Sequence, residues 1–462
     1  MAFQNYIFIF FLLPCLLILY TITPKKYKSI LLIVASLIFY AWGEPVYIIL
    51  LILLTIFNYI MALYMQKKQD RKRKYILVEI IVINLFLLFY FKYYNFFLQE
   101  LSHILPIPKH NDISSMPLGI SFYLFTILSY QFDVYRRHIN AESHFITYAL
   151  YVTWFPKLIM GPIMRYEDFK KQLPLMKIDR KHLESGLTYF IIGLVQKVWI
   201  ADSLSIVFSQ TNASLSSTGM FWLGILAYTL QIYFDFQGYT QMAIGISKIF
   251  HIQLYENFHY PYIATSVTDF WRRWHISLSL WFRDYVYIPL GGNRKGLCIQ
   301  IRNLMIVWML TGIWHGANWT FLSWGIYYGC LLIFEKFLWS HVQSKLPVIL
   351  NWFLTMICIM IGWVFFSSES ISQAFQYLQG MFFLKQLPLM NEEFLFILHS
   401  CWWILIIAMI WASPLFHYIG RLVSKQKDYV WILKPLGILC LWLLALLYSV
   451  GGHVQSFLYF QF

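Results

Sequence analysis

Between Asn303 and Phe334 runs a stretch of 32 residues with no Asp, Glu, Lys or Arg, and within it stands a single imidazole, His315, in the string Trp314-His315-Gly316-Ala317-Asn318. An ionisable side chain at membrane depth is costly, so it ordinarily faces a bundle interior or a wet cavity and is a functional candidate by default. Imidazole titrates near neutrality and is the commonest proton carrier in catalysis, and burial favours the neutral ring that a general base must be. The competing reading of His315 is packing, a histidine hydrogen-bonded between two helices.

A second histidine, His275, lies where charges and indoles mix: Asp269-Phe-Trp-Arg272-Arg273-Trp274-His275-Ile-Ser-Leu-Ser279-Leu-Trp281-Phe-Arg283-Asp284, followed by Tyr285-Val-Tyr-Ile-Pro-Leu-Gly291-Gly292-Asn293-Arg294-Lys295. Residues three and four apart on a helix share a face, which would align Arg272, His275 and Ser279 as a polar stripe able to look into a cavity. The competing reading is an interfacial helix whose Trp and Arg side chains anchor at headgroup level, and for His275 both readings stay open. Gly291-Gly292-Asn293 is a turn signal. Arg294 and Lys295 beside it suit phosphate contacts or the loop charge rule alike. The chain has no Gly-x-Ser-x-Gly elbow, no Walker-type loop and no His-Glu-x-x-His pair, and its six cysteines lack C-x-x-C spacing. No motif requires a metal.

The elements that must hold these residues are membrane helices. Of the 462 residues, 60% are hydrophobic, 20% aromatic and only 12% charged, with a mean hydropathy of +0.60; apolar runs of the roughly 20 residues needed to cross a bilayer recur along the whole chain. The net charge of +14 could suggest nucleic acid, but its excess lies in short loops, as the positive-inside rule predicts. Membrane lipid is therefore the expected partner, and nucleic acid is not. Spans are expected at Phe3 to Thr23, Ser29 to Trp42, Val46 to Met65 and Tyr75 to Leu98. The basic loops Lys25 to Lys28 and Lys67 to Lys74 fall on one side of these spans and put the N-terminus outside. The first apolar run has neither a basic n-region nor a cleavage site and reads as retained.

Segments His144 to Lys171 and Val267 to Pro289 are interrupted by charge and proline. They read as re-entrant or interfacial, a backbone tolerated only where protein or a wet cavity surrounds it. Spans resume at Phe221 to Phe250, Leu304 to Leu338, Val348 to Phe366, Phe394 to Phe416 and Val430 to Val450. A helix over 303–334 would be about 48 Å long, longer than the bilayer core, so it tilts or breaks. Gly312 and Gly316 flank His315 where a break or a close helix approach is easy. The expected fold is an all-α polytopic membrane protein of about eleven spans plus re-entrant helices. It reads as one membrane domain, with N-terminal spans over 1–143, a core with the re-entrant segments over 144–340, and C-terminal spans over 341–462.

At these blocks the chain resembles the membrane-bound O-acyltransferase (MBOAT) family, in the branch of bacterial alginate O-acetyltransferases. Carrying the resemblance, almost end to end, are Asp269 to Lys295, Gly312-Ile-Trp-His315-Gly-Ala-Asn-Trp319, Phe155-Pro-Lys-Leu-Ile-Met-Gly-Pro-Ile-Met-Arg165-Tyr-Glu-Asp-Phe169, Tyr233-Phe-Asp-Phe-Gln-Gly-Tyr239 and Phe457-Leu-Tyr-Phe-Gln-Phe462. Teichoic-acid D-alanyl transferases share the two histidines, whereas the Pro-Leu-Gly-Gly-Asn-Arg turn is more like the acetyltransferase branch. The resemblance implies a funnel that thins the membrane, with His315 as catalytic histidine at its narrow end and His275 on its wall. It implies no bound cofactor. An acyl thioester, acetyl-CoA in this branch, would arrive from the cytoplasmic side of a bacterial inner membrane, and the acyl group would leave towards hydroxyls of a cell-surface polysaccharide with the help of an extracytoplasmic SGNH-hydrolase-like partner. On that scheme Asn318, Trp314, His275 or the backbone N–H groups near Gly316 are candidates to support the oxyanion, and Arg272, Arg273, Arg294 and Lys295 are candidates for the donor's phosphates. Two alternatives stand beside it. One is D-alanyl or other acyl transfer to teichoic acid within the same family. The other is a transporter of lipid-linked saccharides, against which counts the lack of matching halves.

Overall fold

In hydrocarbon every backbone N–H and C=O must be satisfied within its own segment, so apolar runs become helices. The structure, a computed structural model, describes residues 2–105, 116–382, 386–415, 418, 427–451 and 455–458, and no strand occurs among them. Phe416 and the terminal Tyr459 to Phe462 lie outside the described residues. Eight helices among those described are long and apolar enough to cross a membrane, with Phe8–Ile22 a shorter apolar helix. The chain forms two compact units, Met1–Phe190 with Tyr239–Tyr255, and Ile191–Gly238 with Glu256–Phe462.

The first unit carries α1 (Leu13–Ile22), α2 (Lys28–Ala41), α3 (Tyr47–Gln66), α4 (Asp70–Lys92), α5 (Tyr94–Ser102) and α6 (Ile120–Tyr135). Polar side chains tie three of these together. Asn58 of α3 and Asn84 of α4 exchange amide hydrogen bonds of 3.1 and 3.0 Å, and Gln131 of α6 donates to the Asn58 carbonyl at 2.7 Å. Such pairs act as glue where lipid supplies no hydrophobic drive. The segment expected to be re-entrant is a string of short helices, α7 (Phe145–Thr153), α8 (Phe155–Leu158) and α9 (Tyr166–Gln172), with residues 148–164 buried. Side chains within the protein hold it: the Ser36 hydroxyl accepts from the Phe155 backbone N–H at 3.2 Å, and the Trp154 indole N–H donates to the Ser247 hydroxyl at 3.0 Å.

Next come α10 (Arg180–Val195), α11 (Asp202–Ala213) and α12 (Thr218–Ile249). The run Arg180–Ala213 qualifies as a span of 34 residues, yet it has no place among the expected spans, because Lys197 and Asp202 interrupt its hydropathy. It differs from its neighbours in being 72% buried, against 28% for α4. Lys197 is held between Asp202 and Asp235 at 2.7 Å each, so the charges that break the apolar pattern satisfy one another inside protein.

The second unit continues with α13 (Val267–Arg273), α14 (Ile276–Phe282), α15 (Leu297–His315), α16 (Trp319–Phe334), α17 (Ser340–Gln343), α18 (Val348–Ser367), α19 (Ile371–Met381), α20 (Glu392–Trp411) and α21 (Lys427–Val450). Of the two outcomes expected for the 303–334 run, tilt or break, the structure has the break, between His315 and Trp319. Large apolar side chains such as Val348, Ile349 and Phe353 on α18 and Phe396 on α20 are exposed, which is the composition of a lipid-facing surface.

Candidate active site

His315 is the last residue of α15, because Gly316 turns extended (φ −171°) and Asn318 caps the next helix by accepting from the Thr320 N–H at 3.0 Å. The two helices approach closely through glycines. A Cβ on Gly312 would lie 2.4 Å from the Phe321 carbonyl oxygen, and one on Gly325 would lie 2.4 Å from that of Trp308. His315 is therefore fixed at a discontinuity, 5% exposed, with Trp314 (4.8 Å between ring centroids), Trp324 (4.9 Å) and Phe366 (5.1 Å) around it.

The segment before it is built to hold His275. Ser266 caps α13 by accepting from the Asp269 N–H, and the buried Glu335 carboxylate accepts the Val267 and Thr268 N–H groups at 2.6 and 3.0 Å. The helix then stops at Arg273. Arg273 offers its carbonyl to the His259 N–H at 3.0 Å, and Asn257 takes the Ile276 N–H at 3.0 Å. His275 between them adopts a left-handed backbone (φ 45°). The continuous helical stripe of Arg272, His275 and Ser279 is thus corrected: they belong to two helices parted at His275, since long-range partners near Asn257 claim the backbone. The break still brings all three to one place, for each lines the same cavity of about 590 Å³, and so does His315.

His275 is 2% exposed, and neither of its ring nitrogens has a hydrogen-bond partner among the described residues. Its ring meets Phe236 edge-on at 4.7 Å and Trp314 at 6.0 Å. A charged ring buried among aromatics would be heavily penalised, so the imidazole is neutral and keeps one N–H donor and one acceptor for whatever enters. Trp271 and Trp308 add apolar wall, and Arg272, Arg283 and Lys336 add positive charge. This is a site that can present two buried imidazoles to a partly apolar molecule with an anionic end.

The other sequence candidates divide between the cavity and its surroundings. Trp314 is 5% exposed and its ring contacts both histidines. Asn318 spends its amide on the cap and on the Glu369 carbonyl, 2.9 Å away. Arg273 pairs with Asp269 at 2.9 Å, and neither it nor Arg294 nor Lys295 belongs to the cavity lining, whereas Arg272 does. Sequence reasoning overlooked Glu335 and Lys336. The available signal was their position, as the first charges that end the run opened at Asn303.

The family model for MBOAT, the membrane-bound O-acyltransferase family, matches residues 36–370. The chain is 40% identical over 391 residues to the probable alginate O-acetylase AlgI of Azotobacter vinelandii, covering 83% of this chain and 78% of that protein. It is 33% identical over 527 residues to the peptidoglycan O-acetyltransferase of Helicobacter pylori, covering 100% of this chain and 98% of that protein. Against the teichoic acid D-alanyltransferase of Bacillus subtilis it is 28% identical over 385 residues, covering 78% and 94% respectively.

Proposed function

The chain belongs to the membrane-bound O-acyltransferase family, and from that premise we propose that it carries an acetyl group from acetyl-CoA on the cytoplasmic side of a bacterial inner membrane towards hydroxyls of a cell-surface polysaccharide. That it is a multi-pass membrane O-acyltransferase follows from the family and from its apolar helices. The finer reading is carried by one observation above all, two buried imidazoles lining one cavity.

In this reading His315 is the general base. It takes the proton of the attacking hydroxyl as the oxygen bonds to the thioester carbonyl. The tetrahedral intermediate then collapses, its carbon–sulfur bond breaks, and the proton passes to the departing thiolate, leaving an ester and free CoA. His275 donates its N–H to the carbonyl oxygen as negative charge develops there, the role in which a preorganised donor counts most. Trp314, touching both rings, keeps them apart and oriented. Arg272, with Arg283 and Lys336 in the same lining, meets the phosphates of the donor. Asn318 acts as a helix cap.

The basic loops at Lys25 to Lys28 and Lys67 to Lys74 support an extracytoplasmic N-terminus. The resemblance supports an SGNH-hydrolase-like partner on the outer face that completes delivery. The relatives named for alginate, peptidoglycan and teichoic acid support a polymer acceptor at the cell surface.

The test compares ester-linked acetyl groups on surface polysaccharide and peptidoglycan of cells making the wild type or His315→Ala at equal protein levels. The expected outcome is loss of acetyl esters from one polymer in the variant, by a hundredfold or more. D-alanyl esters lost instead would assign the donor to the D-alanyl reading. Unchanged esters would remove His315 from the chemistry and revive the transporter reading, in which flux survives the substitution.

A further inference from the structure

Asp179, His182 and His251 meet in the first unit, far from the cavity in sequence and absent from its lining. Asp179 precedes α10 and accepts the His182 N–H at 2.9 Å, as a helix cap does. Its two carboxylate oxygens also lie 2.8 and 2.9 Å from Nδ1 of His182. Capping accounts for that pair, but it does not account for His251.

His251 lies just beyond the end of α12, where a left-handed residue commonly terminates a helix and glycine is the usual choice. Here a histidine takes that conformation (φ 64°), with its own N–H bonded to the Lys248 carbonyl and the Ile252 N–H to that of Ser247, both at 2.9 Å. A non-glycine residue held left-handed is a small store of strain, and such residues collect at sites of function. The turn stacks the His251 ring on that of His182, 3.8 Å between centroids, and leaves its Nδ1 buried without a hydrogen-bond partner among the described residues. One ligand atom from each of the three residues lies within 4.8 Å of the others. Metal–nitrogen and metal–oxygen bonds of about 2.0–2.2 Å demand ligand atoms roughly 3–4 Å apart, so small side-chain rotations close the set.

We propose that Asp179, His182 and His251 bind a divalent transition-metal ion, with Zn²⁺ the best match to two imidazoles and a carboxylate, and that the ion clips the start of α10 to the end of α12. Two imidazoles with one carboxylate favour borderline metals over Mg²⁺ or Ca²⁺. The ion would take the place of the Lys177 ammonium, now 3.4 Å from Asp179, as the carboxylate's counter-charge. The site escaped the sequence because only Asp179 and His182 are neighbours along the chain, and no metal-ligand spacing includes His251.

The experiment titrates ZnCl2 into the full-length protein, purified in detergent micelles and stripped with chelator, by calorimetry, and follows CoCl2 by visible absorption. The wild type should bind one equivalent, with ligand-field bands for Co²⁺ and a melting temperature that rises on adding Zn²⁺. His251→Gly, which keeps the left-handed turn, should bind at least a hundredfold more weakly, lose the bands and show no thermal shift. His182→Asn, which keeps the main-chain cap, repeats the comparison should the glycine variant fail to fold. No uptake by the wild type, or equal uptake by wild type and variants, would overturn the proposal. None of the three residues lines the cavity, so either result is independent of the His315→Ala assay.

Discussion

A histidine buried to 2% exposure, with no hydrogen-bond partner for either nitrogen among the described residues, is expensive to retain unless a bound group satisfies it, because each unmet polar atom costs its full desolvation penalty. That cost separates a functional His275 from an interfacial anchor, since an anchor would keep its polar atoms at headgroup level. His275→Asn tolerates the left-handed backbone at this position and removes the imidazole. If the ring donates to the developing oxyanion, kcat for acetyl transfer in proteoliposomes falls by about a hundredfold, KM for acetyl-CoA moves little, and the melting temperature holds or rises. A lower melting temperature with unchanged kcat would make His275 a packing residue.

At the scale of elements, the cavity depends on two helix breaks of different origin. The break after His315 is local, for Gly316 leaves the helix and Gly312 lets α16 press against α15. Gly312→Ala would drive a methyl group to 2.4 Å from the Phe321 carbonyl. Backbone, unlike a flexible side chain, cannot step aside, so overpacking costs about 1–3 kcal/mol and displaces His315. The expected outcome is a lower melting temperature and reduced turnover, read against Gly437→Ala, whose added Cβ meets nothing within 4 Å and which should be neutral or slightly stabilising. Equal behaviour of the two variants would contradict the close approach. This break was legible in the sequence because its causes, length and glycine, lie within a few residues of it. The break at His275 was not, since Asn257 and His259 impose it from outside the segment. The span Arg180–Ala213 was hidden for a related reason, for Lys197 reads as a loop charge until Asp235 is seen beside it. Hydropathy and spacing reveal what a segment does alone; they are silent where a distant residue supplies the missing partner.

Across the whole molecule charge is scarce, and several buried carboxylates are held by a lysine, Asp202 and Asp235 by Lys197 and Glu142 by Lys170, so overall stability should depend on the protonation of a few groups. Glu142, between α6 and α7, is the clearest case outside the spans. Burial acts to raise its pKa, but Lys170 at 2.6 Å and the Tyr166 hydroxyl, both hydrogen-bonded to its carboxylate, with the His144 N–H, bring it down to about 2. A carboxylate held below its ordinary value of 4.5 contributes stability that is fully present above that value and is lost as pH falls from 4.5 towards 2. Glu142→Gln keeps the shape and removes the charge. Thermal unfolding of the purified protein should therefore show the variant melting a few degrees below wild type at pH 7 and at pH 5.5 alike, with the gap narrowing steadily below pH 4.5. A gap that stayed constant down to pH 3 would mean that the variant loses packing or hydrogen-bond geometry and that the ionised carboxylate adds nothing. A gap that closed between pH 7 and 5.5 would place the controlling titration on a group other than Glu142.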